Sequence, residues 1–280
     1  MSIDRLLESA EKLVSTGATP ACQVAVAREG ELLAFETFGA ATNDTRFCMF
    51  SATKPIVASA MWLLIGDGLL DVERPVAHYV PEFATHGKER VTVEQVLLHT
   101  AGFPNAVLDS VEGADPVTRV KRFTEWELEW EPGTRFEYHP TSAHWVLAEL
   151  LERLCGEDFR DMIERRICEP LGLPRLLGIP REEQADIIEG VRLGNEIPAL
   201  GANTLRFNEP AVREAGVPGG GAFATAATVA KFYQALLRNP NGLWNDDVLR
   251  DAKTNIRCTL PEPLLNVDVN RTIGLVIAGD

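Results

Sequence analysis

The sequence predicts a fold of the α+β class, and three observations support that prediction. Two apolar runs, residues 21–27 and 31–38, are separated by a Glu-Gly turn and therefore predict a β-hairpin. A short extended run over 46–50 leads directly into a helical pattern over 51–65. Apolar residues then recur every three or four positions over 142–154, which indicates a further helix.

The other elements follow from the same periodicities. Residues 1–10 have the pattern of an amphipathic helix, whereas prolines and glycines interrupt 71–140 and predict an irregular, largely helical stretch. Helical patterns return over 159–167 and, after a glycine cluster, over 225–237. Residues 271–279 have the sequence RTIGLVIAG, which is mostly apolar and predicts a buried strand.

We expect one domain over residues 1–280. Residues 1–70 and 222–280 would form its α/β part, and 71–221 a mainly helical subdomain with pocket loops. A chain of 280 residues can bury a sizeable core. Its 45% hydrophobic and 24% charged residues are typical of globular proteins, not of disordered or membrane-embedded chains.

Charge and cysteine usage limit the partners. The net charge of -14 argues against nucleic acid and against anionic membranes, and its even spread along the chain favours a role in solubility. The 5 cysteines form no close ligand pair, so we expect reduced thiols and neither a metal nor a cofactor. No signal peptide or membrane-spanning run is visible, which predicts a cytoplasmic protein. The sequence does not indicate an oligomeric state.

The tetrapeptide Ser51-Ala-Thr-Lys54 matches the S-x-x-K pattern. Residues three apart share one face of a helix, so Lys54 could take the proton that makes the Ser51 hydroxyl a nucleophile. Pro55 fits only the first turn of a helix, which places Ser51 at the helix start. There the helix dipole and the Ser51 backbone N–H would favour an oxyanion. Alone, the pattern is weak and favours an N-cap serine followed by a solvated lysine.

Three further segments accompany this pattern. The stretch Pro132-Gly-Thr-Arg-Phe-Glu-Tyr138 precedes a long helix, residues 96–102 have the sequence VLLHTAG, and residues 169–173 have the sequence EPLGL. In this order they resemble the P-G-x-x-F-x-Y, L-L-x-H-T-x-G and P-L-G segments of class C β-lactamases, penicillin-binding proteins and family VIII esterases. The resemblance implies the β-lactamase/transpeptidase-like fold, with an antiparallel sheet flanked by helices and the site at the boundary with a helical subdomain.

The resemblance also implies roles for particular residues. Ser51 would be the nucleophile, and Tyr138 would relay the proton from Ser51 to the leaving group. Whether Lys54 or Tyr138 is the base stays open, because a phenol serves as a base only with positive charge nearby. His99 belongs to a segment that is structural in the family, so we interpret it as hydrogen-bonded packing.

The chain departs from the family pattern at one substrate-contacting position. Pro140 stands where β-lactamases have the asparagine that binds the substrate amide, which favours ester over amide substrates. Gly219 and Gly220 belong to a glycine-rich segment that aligns with a wall of the substrate site, although these glycines could equally serve only to turn the backbone. We therefore expect Pro140, Gly219 and Gly220 to contact a small-molecule ester or amide.

A second departure is at the C-terminal end. The family's K-T-G or H-x-G motif, which supplies the second oxyanion N–H, does not follow residue 280, so the last strands of the fold are expected to be missing. Two explanations stay open: a piece of a longer hydrolase, which we favour, or a noncatalytic binding or scaffold protein. The expected function is a serine hydrolase with a covalent acyl-enzyme, acting on carboxylic esters. The alternatives are the noncatalytic protein, a β-lactamase or a D-alanyl-D-alanine carboxypeptidase.

Overall fold

A β-hairpin covered by helices forms one side of the molecule. The computed structural model describes residues 2–192, 204–263 and 267–277. Ala21–Arg28 (β1) pairs antiparallel with Glu31–Gly39 (β2), as the sequence predicts. The two turn residues between them have positive φ angles, 56° and 88°, which match the twist of a tight hairpin. Helix α1, Ile3–Ser15, packs against both strands.

The other described strands are short and also pair antiparallel, two by two. The pairs are Phe47–Cys48 (β3) with Phe223–Ala224 (β4), Pro261–Glu262 (β5) with Val267–Asp268 (β6), and Asn270–Arg271 (β7) with Val276–Ile277 (β8). Together with the helices that pack on the first hairpin, they confirm the predicted antiparallel, helix-flanked α+β class.

The predicted single strand over 271–279 is wrong for its described part. The Thr272 N–H donates to the Leu275 carbonyl (3.0 Å), so the chain reverses between β7 and β8. Gly274, with a φ angle of 103°, permits this turn, which side chains with a Cβ rarely adopt. Residues 278 and 279 lie outside the described residues.

Helices make up most of the remaining described chain. The first turn of the second helix is a 3-10 turn, Phe50–Thr53. After α1 the helices are α2 Lys54–Gly66, α3 Val76–Tyr79, α4 Val93–Leu97, α5 Pro116–Glu125, α6 Ser142–Cys155, α7 Phe159–Ile163, α8 Pro210–Ala215, α9 Ala226–Arg238 and α10 Asp246–Thr254. Helices α6 and α9 confirm the predictions over 142–154 and 225–237, and α7 continues as a π-helical turn, Glu164–Cys168.

Between residues 71 and 221 the described chain has no strand other than residues in isolated bridges, in keeping with the predicted helical subdomain. The exact boundaries of that subdomain stay a prediction.

Helix α2 lies in the centre of the core. Lys54 is its first residue, and Ser51 lies in the turn directly before it. The helix packs against α6, α7 and α10, and its Trp62 is fully buried. The Trp62 indole N–H donates to the Ile273 carbonyl (2.8 Å), which ties the β7–β8 turn to the helix. A Cβ at Gly274 would lie 2.2 Å from the Cβ of Ala58, so only glycine fits this close approach.

The structure bears on two predictions from the sequence, one about the cysteines and one about membrane-spanning segments. All 5 cysteines lie in described residues and are free. Among the described residues, no helix has both the length and the apolar composition needed to cross a membrane.

Candidate active site

Ser51 lies in the 3-10 turn that leads into α2, with Pro55 in the first turn of the helix proper. This confirms the predicted position at the helix start, where backbone N–H groups lack intrahelical acceptors. The Thr53 hydroxyl accepts a hydrogen bond from the Ala222 N–H (3.0 Å) and fixes the turn against the loop before β4. Phe50 has a φ angle of 45°, a left-handed conformation that costs free energy for a bulky residue and is typical of functional sites.

The structure brings Ser51, Lys54 and Tyr138 together. The Tyr138 hydroxyl donates to Ser51 Oγ at 2.5 Å, and Lys54 Nζ donates to the same oxygen at 3.3 Å. Tyr138 lies in the loop before α6, 87 positions from Ser51 in the chain. The hydroxyl of Ser51 thus has a possible base and a possible acid within hydrogen-bond distance.

Two main-chain oxygens orient Lys54. Its Nζ donates to the Gly219 carbonyl (2.6 Å) and to the Pro140 carbonyl (2.8 Å). The residue is only 6% exposed, and burial lowers the pKa of its ammonium group from 10.5 to about 7, because a charged amine loses its hydration in the interior. A substantial fraction of Lys54 is therefore an uncharged amine near neutral pH.

Tyr138 keeps its proton more firmly than a tyrosine in water. Burial raises the pKa of its phenol, while the hydrogen bond to Ser51 and the charge of Arg271 act in the opposite direction. The ring centroid lies 4.7 Å from Lys54 Nζ. Tyr138 at neutral pH is thus a phenol able to donate its proton, beside an amine able to accept one.

These three residues line one cavity of about 410 Å³. Its polar side also includes His99, His144 and Arg271, and its apolar side Leu97, Tyr233, Leu275 and Val276. None of these additional lining residues is a sequence-predicted site residue. His99 belongs to the VLLHTAG segment, from which the sequence predicts only a packing role. Tyr233 lies on a helix that the sequence predicts.

The three residues predicted to contact the substrate form hydrogen bonds near the site through their main-chain oxygens. Pro140 and Gly219 contribute carbonyl oxygens to Lys54, and the Gly220 carbonyl accepts a hydrogen bond from the Cys48 thiol (3.6 Å). A Cβ at Gly219 would lie 2.7 Å from the Pro140 oxygen, so the close approach of the two loops requires glycine. That Pro140, Gly219 and Gly220 touch the substrate stays a prediction.

His99, His139 and His144 are all buried. Burial is the largest cause that lowers the pKa of each imidazole, to about 4 for His139 and well below the ordinary value for the other two. All three are neutral at pH 7. In the described part of the chain, no group of histidine, cysteine and acidic side chains has an arrangement that could hold a metal ion.

Comparison with known proteins agrees with the resemblance on which the site was predicted. The family model described as Beta-lactamase matches residues 4–257. The chain belongs to the Beta-lactamase family. Esterase EstB of Burkholderia gladioli is 28% identical over 268 residues, which are 81% of this chain and 67% of that protein. Esterase/beta-lactamase LipL of Mycobacterium tuberculosis is 26% identical over 269 residues, 82% of this chain and 61% of LipL. The chain thus spans about two thirds of the length of these relatives.

Two solved structures confirm the predicted β-lactamase/transpeptidase-like fold. A penicillin-binding protein homologue from Caulobacter crescentus has a TM-score of 0.80 and 25% identity, with 97% of this chain and 80% of that chain covered. A family VIII carboxylesterase has a TM-score of 0.83 and 22% identity, with 99% and 81% covered. The second likeness concerns the fold alone.

Proposed function

We propose that the chain is a serine hydrolase that cleaves carboxylic esters through an acyl-enzyme on Ser51. The observation that carries the proposal is the geometry at Ser51 Oγ, which lies 2.5 Å from the Tyr138 hydroxyl and 3.3 Å from Lys54 Nζ. A nucleophile and a candidate base within hydrogen-bond reach, in a cavity, are the signature of covalent acyl transfer.

Lys54 is the better candidate for the base. As an uncharged amine it has two N–H bonds, which the carbonyls of Pro140 and Gly219 accept at 2.8 and 2.6 Å. The remaining position, the lone pair, then faces Ser51 Oγ. Because burial brings the pKa of Lys54 to about 7, this form is available at neutral pH.

The proposed reaction balances in two halves. Ser51 Oγ attacks the ester carbonyl carbon, its proton passes to Lys54, and the leaving oxygen takes the proton of the Tyr138 hydroxyl, so that one proton moves in net from Ser51 to the released alcohol. Water then attacks the acyl-Ser51 ester. The Tyr138 phenolate takes one proton of this water, Lys54 returns its extra proton to Ser51 Oγ as the acyl bond breaks, and a carboxylic acid is released.

One feature of the site favours esters over amides. Pro140 offers no side-chain donor or acceptor to a substrate amide, and its carbonyl is already engaged by Lys54. The wall formed by Leu97, Leu275 and Val276 is apolar and suits the hydrocarbon part of a small ester. The name of EstB points the same way, while LipL is named both esterase and beta-lactamase.

A fluorophosphonate probe and a short p-nitrophenyl ester test the proposal. We expect a covalent adduct on Ser51 by mass spectrometry, and turnover of the ester that Ser51→Ala abolishes. Ser59→Ala is the matched control, because Ser59 is buried on the same helix and its hydroxyl donates to the Ile56 carbonyl of that helix (2.7 Å). It should retain labelling.

The competing functions give different results in the same assays. Absence of any adduct on Ser51 would contradict the enzyme proposal and favour a noncatalytic binding protein. Faster hydrolysis of a chromogenic cephalosporin than of the ester would contradict the ester preference and favour a β-lactamase.

A further inference from the structure

His99 occupies a strained position directly after α4. Its φ angle of 58° lies in the left-handed region, which residues with a Cβ rarely adopt. The residue is only 7% exposed, and part of that exposed surface lines the cavity that contains Ser51. Strain of this kind persists only where surrounding contacts compensate for it, and it concentrates at functional sites.

The compensating contacts converge on the residues on either side of Tyr138. The Glu137 N–H donates to the His99 carbonyl (3.2 Å), and the His139 N–H donates to His99 Nδ1 (3.1 Å). His99 therefore holds the main chain immediately before and immediately after Tyr138. A left-handed backbone at residue 99 presents its carbonyl and its imidazole to the same strand of chain.

The His99 ring also contacts the tyrosine itself. The two ring centroids lie 4.9 Å apart with an interplanar angle of 38°, a geometry within the range of favourable aromatic pairs. With the main chain held at residues 137 and 139 and one ring face covered, rotation of the phenol is restricted. Its hydroxyl is thereby kept at 2.5 Å from Ser51 Oγ.

The protonation state of His99 suits this role. Nδ1 accepts the His139 N–H, so the proton of the neutral imidazole lies on Nε2. Burial lowers the pKa of His99 well below its ordinary value, and His144, His139, Lys54 and Arg271 add to the effect. The hydrogen bond to Nδ1 thus stays intact over the pH range in which Lys54 changes charge.

We propose that His99 is a positioning residue that holds the Tyr138 phenol in place to protonate the leaving group. The proposal rests on the acyl-transfer function proposed above, and it assigns to His99 a role beyond packing. It predicts a dependence on the leaving group, because p-nitrophenolate departs without a proton at neutral pH whereas an alkoxide requires one.

The test compares a p-nitrophenyl ester with the ethyl ester of the same acid. His99→Gly keeps the left-handed backbone but removes the acceptor and the ring, and we expect kcat/KM for the ethyl ester, which reports formation of the acyl-enzyme, to fall about 10²-fold. For the p-nitrophenyl ester we expect kcat/KM to fall about tenfold or less, because its acyl-enzyme forms without protonation of the leaving group. His99→Asn tolerates the same backbone and keeps a side-chain acceptor, so it should recover part of the loss.

A control and a double variant make the result specific. Thr100→Val removes a neighbouring hydrogen bond (3.4 Å to the Gln95 carbonyl) and should slow both esters equally if at all. In a Tyr138→Phe background, adding His99→Gly should lower kcat/KM for the ethyl ester by less than about threefold, because the hydroxyl that His99 positions is already gone.

Three outcomes would overturn the proposal. If wild-type protein forms no Ser51 adduct, the proposed function and this inference both fail. If wild type reacts but His99→Gly slows both esters equally, or costs as much without the Tyr138 hydroxyl as with it, only the positioning role fails. Circular dichroism monitors folding, and His99→Asn carries the same comparison if the glycine variant is unfolded.

Discussion

Replacing Lys54 with methionine should change how the stability of the protein depends on pH. The pKa of Lys54 falls from 10.5 to about 7 on burial, which corresponds to about 5 kcal/mol at about 1.4 kcal/mol for each pH unit. The unfolded chain holds the lysine proton up to about pH 10.5, whereas the folded chain releases it near pH 7. Between these values the unfolded state binds more protons, so stability increases with pH.

The size of the effect follows from these two pKa values. Between about pH 7 and about pH 9, wild type should gain about 2 kcal/mol in its free energy of unfolding relative to Lys54→Met. The variant also leaves the carbonyls of Pro140 and Gly219 without their donor, but this loss is nearly independent of pH and cancels in the comparison.

Urea-induced unfolding at the two pH values measures this difference. Lys231→Met, which removes an exposed lysine of α9, is the matched control for changes in net charge. An equal stability difference between wild type and Lys54→Met at both pH values would refute the assignment of a low pKa to Lys54.

The same lysine should determine the pH dependence of reaction with the fluorophosphonate probe. Only the uncharged amine accepts the Ser51 proton, so the labelling rate should increase through about pH 7 and then level off. Inhibition time courses at a series of pH values measure it. A rate that is constant from about pH 5 to about pH 9 would contradict a role for Lys54 as the base.

Two further predictions concern stability. Arg119→Met should lower the free energy of unfolding by about 3–5 kcal/mol, because it removes a fully buried partner of Glu149, which is only 3% exposed. Arg122→Met, which breaks exposed ion pairs, should cost less than about 1 kcal/mol, and urea unfolding compares the two. Gly274→Ala should lower Tm more than Gly68→Ala, because both glycines have positive φ angles but only Gly274 lacks space for a Cβ. Equal losses in either pair would contradict these packing arguments.

The helix start that bears Ser51 and the loop that bears Tyr138 could both be predicted from the sequence. The proline after Lys54 located Ser51 at a helix start, and the flanking motif identified Tyr138 across 87 positions of chain. Both signals are side-chain identities at fixed spacing, and such signals can be seen without coordinates.

Contacts made by main-chain atoms could not be predicted from the sequence. The acceptors that orient Lys54 are the backbone oxygens of Pro140 and Gly219, and any residue type carries such an oxygen. The sequence places His99 in the VLLHTAG segment. Its hydrogen bonds to residues 137 and 139 depend on a left-handed backbone, which a histidine side chain does not predict. The sequence does not predict the β7–β8 turn, because the four apolar residues around Gly274 have the composition of a strand.

The use of a main-chain oxygen at residue 140 has a consequence for how this site can evolve. The oxygen of Pro140 orients the base, while its side chain takes no part in that bond. If the side chain at position 140 contacts the substrate, as the sequence predicts, a substitution there would change substrate recognition and keep a carbonyl for Lys54. Recognition and proton transfer would then depend on different atoms of one residue, because every residue type carries the carbonyl and only the side chain differs.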